Sequence, residues 1–228
     1  MERKFIFSTD EYYHLYARGV EKRTIFLDRH DYLRFVKLLY IANSLKPFEY
    51  KLIGGLPLVK IDRGESLISI GAYCLMPNHF HILVKEKEGT GISKFMSKLM
   101  TAYSMYFNKK YKRTGRLFQN TFQARHASED EYLRYLFSYI HLNPLRLVDI
   151  ALDKCDEVAL QKQQEFVKNY DFSSYPDFVG VDREEGLILN RKDFPEYFTT
   201  VQEFTDFITG WLEIRDAPSS VGLPYDQG

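Results

Sequence analysis

The stretch LISIGAYCLMPNHFHILVK, residues 67–85, decides the fold. Leu67 to Leu75 is apolar enough for a buried strand, Met76-Pro77-Asn78 supplies turn residues, and His79 to Lys85 reads as a second strand. With so few residues between them, the two strands pair antiparallel as a hairpin. Successive side chains on a strand point to opposite faces. Phe80, Ile82 and Val84 therefore share the face turned to a core, while His79 and His81 project together from the other.

Outward from this hairpin the chain keeps a regular order. Tyr12 to Val20 has strand composition and ends in a Gly turn signal. Asp28 suits a helix N-cap, and Tyr32, Phe35, Val36, Leu38, Leu39, Tyr40 and Ile41 give a helical apolar face through about Asn43. Residues 46–66, with Pro47, Gly54, Gly55, Pro57 and Gly64, read as a loop or short hairpin inserted at the edge. After the hairpin, Ile92 to Tyr111 has helical spacing and ends before Gly115, and Leu117 to Ala127 reads as a fourth strand. Glu129 to Leu142 is a further helix, stopped by Pro144. The order β-α-β-β-α-β is the split βαβ, ferredoxin-like arrangement of the α+β class. Two helices are expected to cover one face of a four-stranded antiparallel sheet and leave the other face free. Beyond Asp149 the pattern is helical and irregular, with a final helix around Val201 to Ile214. The expected division is a domain over residues 1–148 and an acidic C-terminal extension over 149–228.

Composition narrows the function. The 45% hydrophobic and 16% aromatic content excludes wholesale disorder. No run of about 18 uncharged apolar residues is present, so no membrane span is expected. The N-terminal residues lack the apolar run of a signal peptide. Cys74 and Cys155 form no CxxC pair, which fits two free thiols in a reducing cytoplasm. The net charge of zero hides an asymmetry: residues 1–148 carry 24 Lys and Arg against 14 Asp and Glu, and residues 149–228 carry 7 against 17. From Gly89 to Ser128 there are eight cations and no carboxylate. A basic body implies a polyanionic partner, unless the two halves simply neutralise each other.

Two groups of residues carry chemistry. The adjacent imidazoles of His79 and His81 are a ready divalent-metal site in need of one more donor, although two surface histidines on a strand would look the same. On the helix before Pro144, Tyr132, Tyr135, Leu136, Tyr139, Ile140 and Asn143 recur at three- and four-residue spacing. Such a stripe is usually core packing, and Tyr132 and Tyr135 are read that way. Tyr139 differs in having the amide of Asn143 one turn on, and an amide oxygen is a good donor for Mg²⁺ or Mn²⁺. A phenol beside a metal-bound phosphate can attack as phenolate.

Together these features resemble a known family, the single-tyrosine His-hydrophobe-His transposases, and within it the REP-associated tyrosine transposases. The resemblance rests on TyrTyrHisLeuTyrAlaArgGlyVal, AlaTyrCysLeuMetProAsnHisPheHisIleLeuVal, GlyArgLeuPheGlnAsn and SerTyrIleHisLeuAsnProLeuArgLeuVal, and covers about residues 8–148. A weaker echo follows at Phe172-Ser173-Ser174-Tyr175. It implies that His79 and His81 bind the metal, that Asn143 helps complete the site, and that Tyr139 is the nucleophile. The implied chemistry is attack on a phosphodiester of single-stranded, hairpin-bearing DNA, giving a 5′-phosphotyrosine and a free 3′-hydroxyl. Strand transfer then needs no ATP. Two subunits share the tyrosine helix in some relatives, so homodimer and monomer both stay open. The insertion at 46–66 and the acidic region 149–228 depart from the pattern, and His141 is given no role.

Arg18, Lys109, Lys110, Lys112, Arg113 and Arg116 are the candidate DNA contacts. Tyr103, Tyr106, Tyr111 and Phe118 interleave with them as candidate stacking rings or as core. Three other readings compete. A non-catalytic single-stranded nucleic-acid-binding sheet has no reason for the histidines. A replication initiator or relaxase of the same chemistry often carries paired tyrosines, as Tyr135 and Tyr139 would be. A hydrolytic metalloenzyme lacks the carboxylate cluster it would need.

Overall fold

The computed structural model describes residues 6–148 and 157–215. Four strands, β1 (Tyr12–Arg18), β2 (Ile68–Met76), β3 (His79–Glu86) and β4 (Gln123–His126), form one sheet in the order β2-β3-β1-β4. Every neighbouring pair is antiparallel. This is the strand order of the ferredoxin-like split βαβ, with β1 and β3 in the middle.

The first layer follows the periodicity. Helix α1 (Arg29–Ala42) starts at a capping box between Asp28 and Asp31, which satisfies two otherwise orphaned amides. Helix α2 (Gly91–Lys110) lies beside it. Phe35, Leu38 and Leu39 from α1, with Phe95, Leu99 and Tyr103 from α2, bury against Leu15, Phe80, Ile82 and Val84 of the sheet. The alternation in β3 thus points its apolar set to this core.

The buried Glu86 at the end of β3 sets the start of α2. Its carboxylate accepts from the backbone N–H of Lys87, Glu88, Gly91 and Ile92 at 2.9–3.0 Å. Gly91 is needed there, because a Cβ would stand 2.2 Å from the Leu67 carbonyl oxygen. A negative group on a helix N-terminus adds to these bonds. Glu86→Ala is expected to cost on the order of 3 kcal/mol, since four buried or half-buried amides lose their acceptor. Urea denaturation reads this, and a loss below about 1 kcal/mol would show that the carboxylate is dispensable.

The second face is covered, contrary to the expectation of a free face. Helix α3 (Asp130–Leu142) crosses it, backed by α4 (Glu157–Lys168), a helical turn at Tyr175–Phe178 and α5 (Val201–Arg215). Ala72, Cys74, Met76 and Leu83 pack there with Leu136, Phe137, Ile140, Tyr175, Phe178 and Phe204. The reason lies in β2, which is buried at all nine positions. A strand apolar on both faces demands a second cover. The described part of the acidic region therefore shares a core with the sheet, while 149–156, including Cys155, lie outside the described residues.

Two further expectations change. Residues 46–66 form single helical turns at Tyr50–Ile53 and Leu58–Lys60 rather than a hairpin. The fourth strand is Gln123–His126 rather than 117–127, with only an isolated bridge between Gly19 and Phe118 ahead of it. Leu117, Phe118 and Phe122 are buried in the first core, so their apolar spacing reports packing from a loop.

Candidate functional site

Strand register assembles the site. Arg18 lies opposite His79 and Tyr16 opposite His81 across β1 and β3, and His14 lies on the same face of β1 as Tyr16 and Arg18. The turn at Pro77-Asn78 is clamped from the side: Ile25 N–H donates to the Pro77 carbonyl at 2.8 Å and Gly19 N–H to the Asn78 carbonyl at 2.8 Å. Helix α3 brings Tyr139 over this face. Its ring centroid stands 5.4 Å from that of His81 and 5.7 Å from that of His14. His79 and His81 are 4.9 Å apart, edge to face.

These groups line a cavity of about 250 Å³, shared with Arg18, Arg125, Arg146, Tyr132 and Tyr135 and with the polar segment Gln119, Asn120, Thr121 and Gln123. Among the described residues its lining includes no carboxylate. Tyr132 and Tyr135 are buried as expected, yet both line the cavity, and Arg125 stacks over Tyr132 at 4.7 Å. On its far side Tyr135 meets Trp211 of α5 at 4.9 Å.

Proton positions on the imidazoles follow from their partners. The Asn78 amide nitrogen donates to the Lys22 carbonyl at 3.1 Å, so its oxygen faces His79 Nδ1, 2.6 Å away. That nitrogen must carry the proton, which leaves a lone pair on Nε2. His81 Nδ1 shares a proton with His14 Nε2 at 2.9 Å. With the proton on His81, its Nε2 is also a lone pair, and His14 is the outer partner that fixes the ring. Burial keeps the three rings neutral. It lowers His14 to about 3, with Arg125 adding to the effect, and His79 to about 4, with Arg18 and Arg146 adding. His81 is driven well below the usual value by burial, then by His14, His79, Arg146 and Arg18.

Two adjacent neutral imidazoles fit a divalent cation as nitrogen donors. Among the described residues no group of three or more His, Cys, Asp or Glu side chains forms a cage for one. Amide and hydroxyl oxygens of Gln119, Asn120, Thr121 and Gln123 line the same cavity. Asn143 does not face the cavity: it is buried, and its amide nitrogen donates to the Tyr139 carbonyl at 2.8 Å, one turn back on its own helix. Its Oδ1 is buried without a partner among the described residues.

The expected DNA contacts divide. Arg18 lines the cavity; Lys109, Lys110, Lys112, Arg113 and Arg116 do not. Lys110 is held by Asp28 and Asp31 at 2.7 and 2.8 Å, and Arg113 donates to Asn108. Tyr106 and Tyr111 donate to Asp31, with Arg34 over the Tyr106 ring and Lys110 over the Tyr111 ring, and Tyr103 and Phe118 are buried. Lys109, Lys112 and Arg116 remain exposed. The cations at the site are instead Arg18, Arg125 and Arg146. Sequence reasoning missed His14, although Tyr12, His14, Tyr16 and Arg18 alternate on β1 as His79 and His81 do on β3.

No curated protein matches the chain. A solved structure described as the REP-associated tyrosine transposase bound to a REP hairpin is similar at 11% identity, covering 81% of this chain and 90% of that one, with a TM-score of 0.46. Residues 63–143, which supply β2, β3, β4 and the helix bearing Tyr139, match the model of the family of IS200-like transposases.

Proposed function

We propose that this protein is a single-tyrosine transposase that cuts and rejoins single-stranded, hairpin-bearing DNA through Tyr139. The observation that supports the reading best is the meeting of His79 and His81 with Tyr139, 58 residues beyond His81 in sequence, in one cavity rich in guanidinium groups. The match over residues 63–143 supports it independently.

The cavity residues divide the work. Arg18, Arg125 and Arg146 bind and orient the phosphodiester by charge and paired N–H donors. The Tyr139 oxygen attacks phosphorus and the bond to the 3′-oxygen breaks. The phenolic proton ends on that oxygen, so the products are a 5′-phosphotyrosine and a 3′-hydroxyl. Attack by another 3′-hydroxyl reverses these bonds and joins new ends. His79 and His81 would hold Mg²⁺ or Mn²⁺ by Nε2, which would offset negative charge as it develops on the phosphate. Leu136, Tyr132 and Tyr135 wall the cavity and limit water that would hydrolyse the intermediate.

A labelled oligonucleotide tests the direction of cleavage. With Mn²⁺ present, a label placed 3′ of the cut should stay covalently on the protein through denaturing electrophoresis. A label placed 5′ of the cut should be released on a fragment ending in a 3′-hydroxyl. Capture of the 5′ label would mean a 3′-phosphotyrosine and would overturn the assignment.

One observation favours a two-tyrosine relative: Tyr135 lines the same cavity, 5.9 Å from Tyr139 ring to ring. Substitution of each tyrosine separates the two readings.

A further inference from the structure

The cavity has two ends of different chemistry. One holds His79, His81 and Tyr139; the other is a polar arch, Gln119-Asn120-Thr121, that runs on to Gln123 of β4. All four polar residues are exposed, yet the arch is fixed at both ends. Leu117 and Phe118 before it and Phe122 after it are buried in the first core. The Val20 N–H donates to the Leu117 carbonyl at 2.9 Å, and the Gln119 N–H donates to the Arg18 carbonyl at 2.9 Å. The arch is thereby seated against the end of β1 that lies opposite His79.

Strand register gives Gln123 a defined place. It lies opposite Tyr16 of β1, and Tyr16 lies opposite His81 of β3. Directly paired residues share a face, so His81, Tyr16 and Gln123 form one row across the sheet. Two strand spacings, roughly 10 Å, separate the ends of that row. This is about the reach from a phosphate to the far edge of a base attached beside it. No hydrogen bond ties the side chains of Gln119, Asn120, Thr121 or Gln123 to another described residue. A carboxamide carries a donor beside an acceptor and no charge. It therefore matches the edge of a base, where donors and acceptors also adjoin, better than it matches a phosphate.

We propose that Gln123, with Gln119 and Asn120, reads the unpaired base next to the scissile phosphate by hydrogen bonds to its edge. This assignment rests on the proposed reading of the cavity as the DNA-cleaving site, and it places part of the choice of cut site in the protein itself. Single-stranded bases are open to such reading because their edges are not engaged in a duplex. Adenine is the expected first choice, since its amine and adjoining ring nitrogen pair with both groups of one amide.

The test uses the full chain carrying Tyr139→Phe, so that binding is read without cleavage. The probe is a pool of hairpin oligonucleotides whose single-stranded arms are randomised, with bound and unbound fractions sequenced. One arm position is expected to favour one base by about tenfold. The preference should be the same in EDTA and in Mn²⁺, because the amides contact the base directly. Gln123→Ala and Asn120→Ala should flatten it. Gln123→Glu should raise the share of cytosine, whose amine donates to a carboxylate. Ratios within one pool cancel the general loss of affinity that a new negative charge brings. These positions are exposed, so the variants should fold.

Equal retention of all four bases at every position by the parent would overturn the proposal. So would a preference that persists unchanged in all three variants, or one that appears only with Mn²⁺, which would give the amides to the cation. Wild-type protein that forms the covalent adduct without any base preference would sink this inference alone. A base preference without an adduct would count against the cleavage reading alone.

Discussion

Tyr139→Phe is expected to abolish the covalent protein–DNA adduct, and Tyr135→Phe to leave it. Removing the phenolic oxygen removes the atom that bonds to phosphorus, while Phe keeps the ring that packs 5.4 Å from His81. The loss should be on the order of 10⁴-fold or more in the rate of cleavage, as for other reactions deprived of their nucleophile. Tyr135 lines the same cavity but packs its ring on Trp211. Its substitution should slow the reaction by less than about tenfold, the scale of a positioning effect. Intact mass spectrometry of protein mixed with an oligonucleotide and Mn²⁺ separates the cases. An adduct that persists in Tyr139→Phe and disappears in Tyr135→Phe would exchange their roles, and loss in both would favour a two-tyrosine enzyme.

The second large effect is on stability in mild acid. His14 and His141 are fully buried and held neutral, each with a pKa near 3, by burial first and then by Arg125 and Arg191 respectively. The opened chain takes up protons at these positions near pH 6.5, whereas the folded chain refuses them until about pH 3. The unfolded state thus binds more protons throughout that window, so stability falls as pH falls from about 6.5. At pH 5 each histidine should cost about 2 kcal/mol, a large share of the 5–15 kcal/mol typical of a folded domain. His141 has the clearest surroundings for a test. Its Nε2 pairs with the Ser174 hydroxyl at 2.7 Å, among the rings of Tyr175, Phe178 and Phe204. Urea midpoints at pH 7.5 and pH 5 should differ strongly in the parent and less in His141→Gln. Equal midpoints at both pH values in the parent would refute the linkage.

The parts legible from sequence were those governed by local rules. The 67–85 segment announces itself because a two-residue turn and a strict period of two allow one register, and a register error would put Phe80 in the cavity and His81 in the core. Asp28 was readable as a cap because its side chain bonds three residues ahead. Tyr139 was singled out by a motif, and its ring lies in the cavity beside His81. What failed depended on distant partners. Asn143 shares a spacing with Tyr139, but a side chain four residues on can equally fold back onto the preceding carbonyl, as it does. Lys110 looked like a DNA contact because its neutralising acids, Asp28 and Asp31, are about eighty positions away. The covered second face was foreshadowed in β2 itself, where Ser69 alone interrupts an otherwise apolar, fully buried run, but behind helix α3 the covering residues come from 157–212, whose patterns show no link to a sheet.

The position of β1 bears on any attempt to shorten this polypeptide. Trimmed to residues 63–143, it would keep His79, His81 and Tyr139 and yet have nothing to hold them together, because the ribbon that joins β3 to β4 is contributed by residues 12–18. The hairpin and the last strand would each expose a row of unsatisfied amides, and such edges pair with other molecules. The recognisable portion of this protein is therefore not its autonomous portion, and a fragment chosen by family likeness is expected to aggregate.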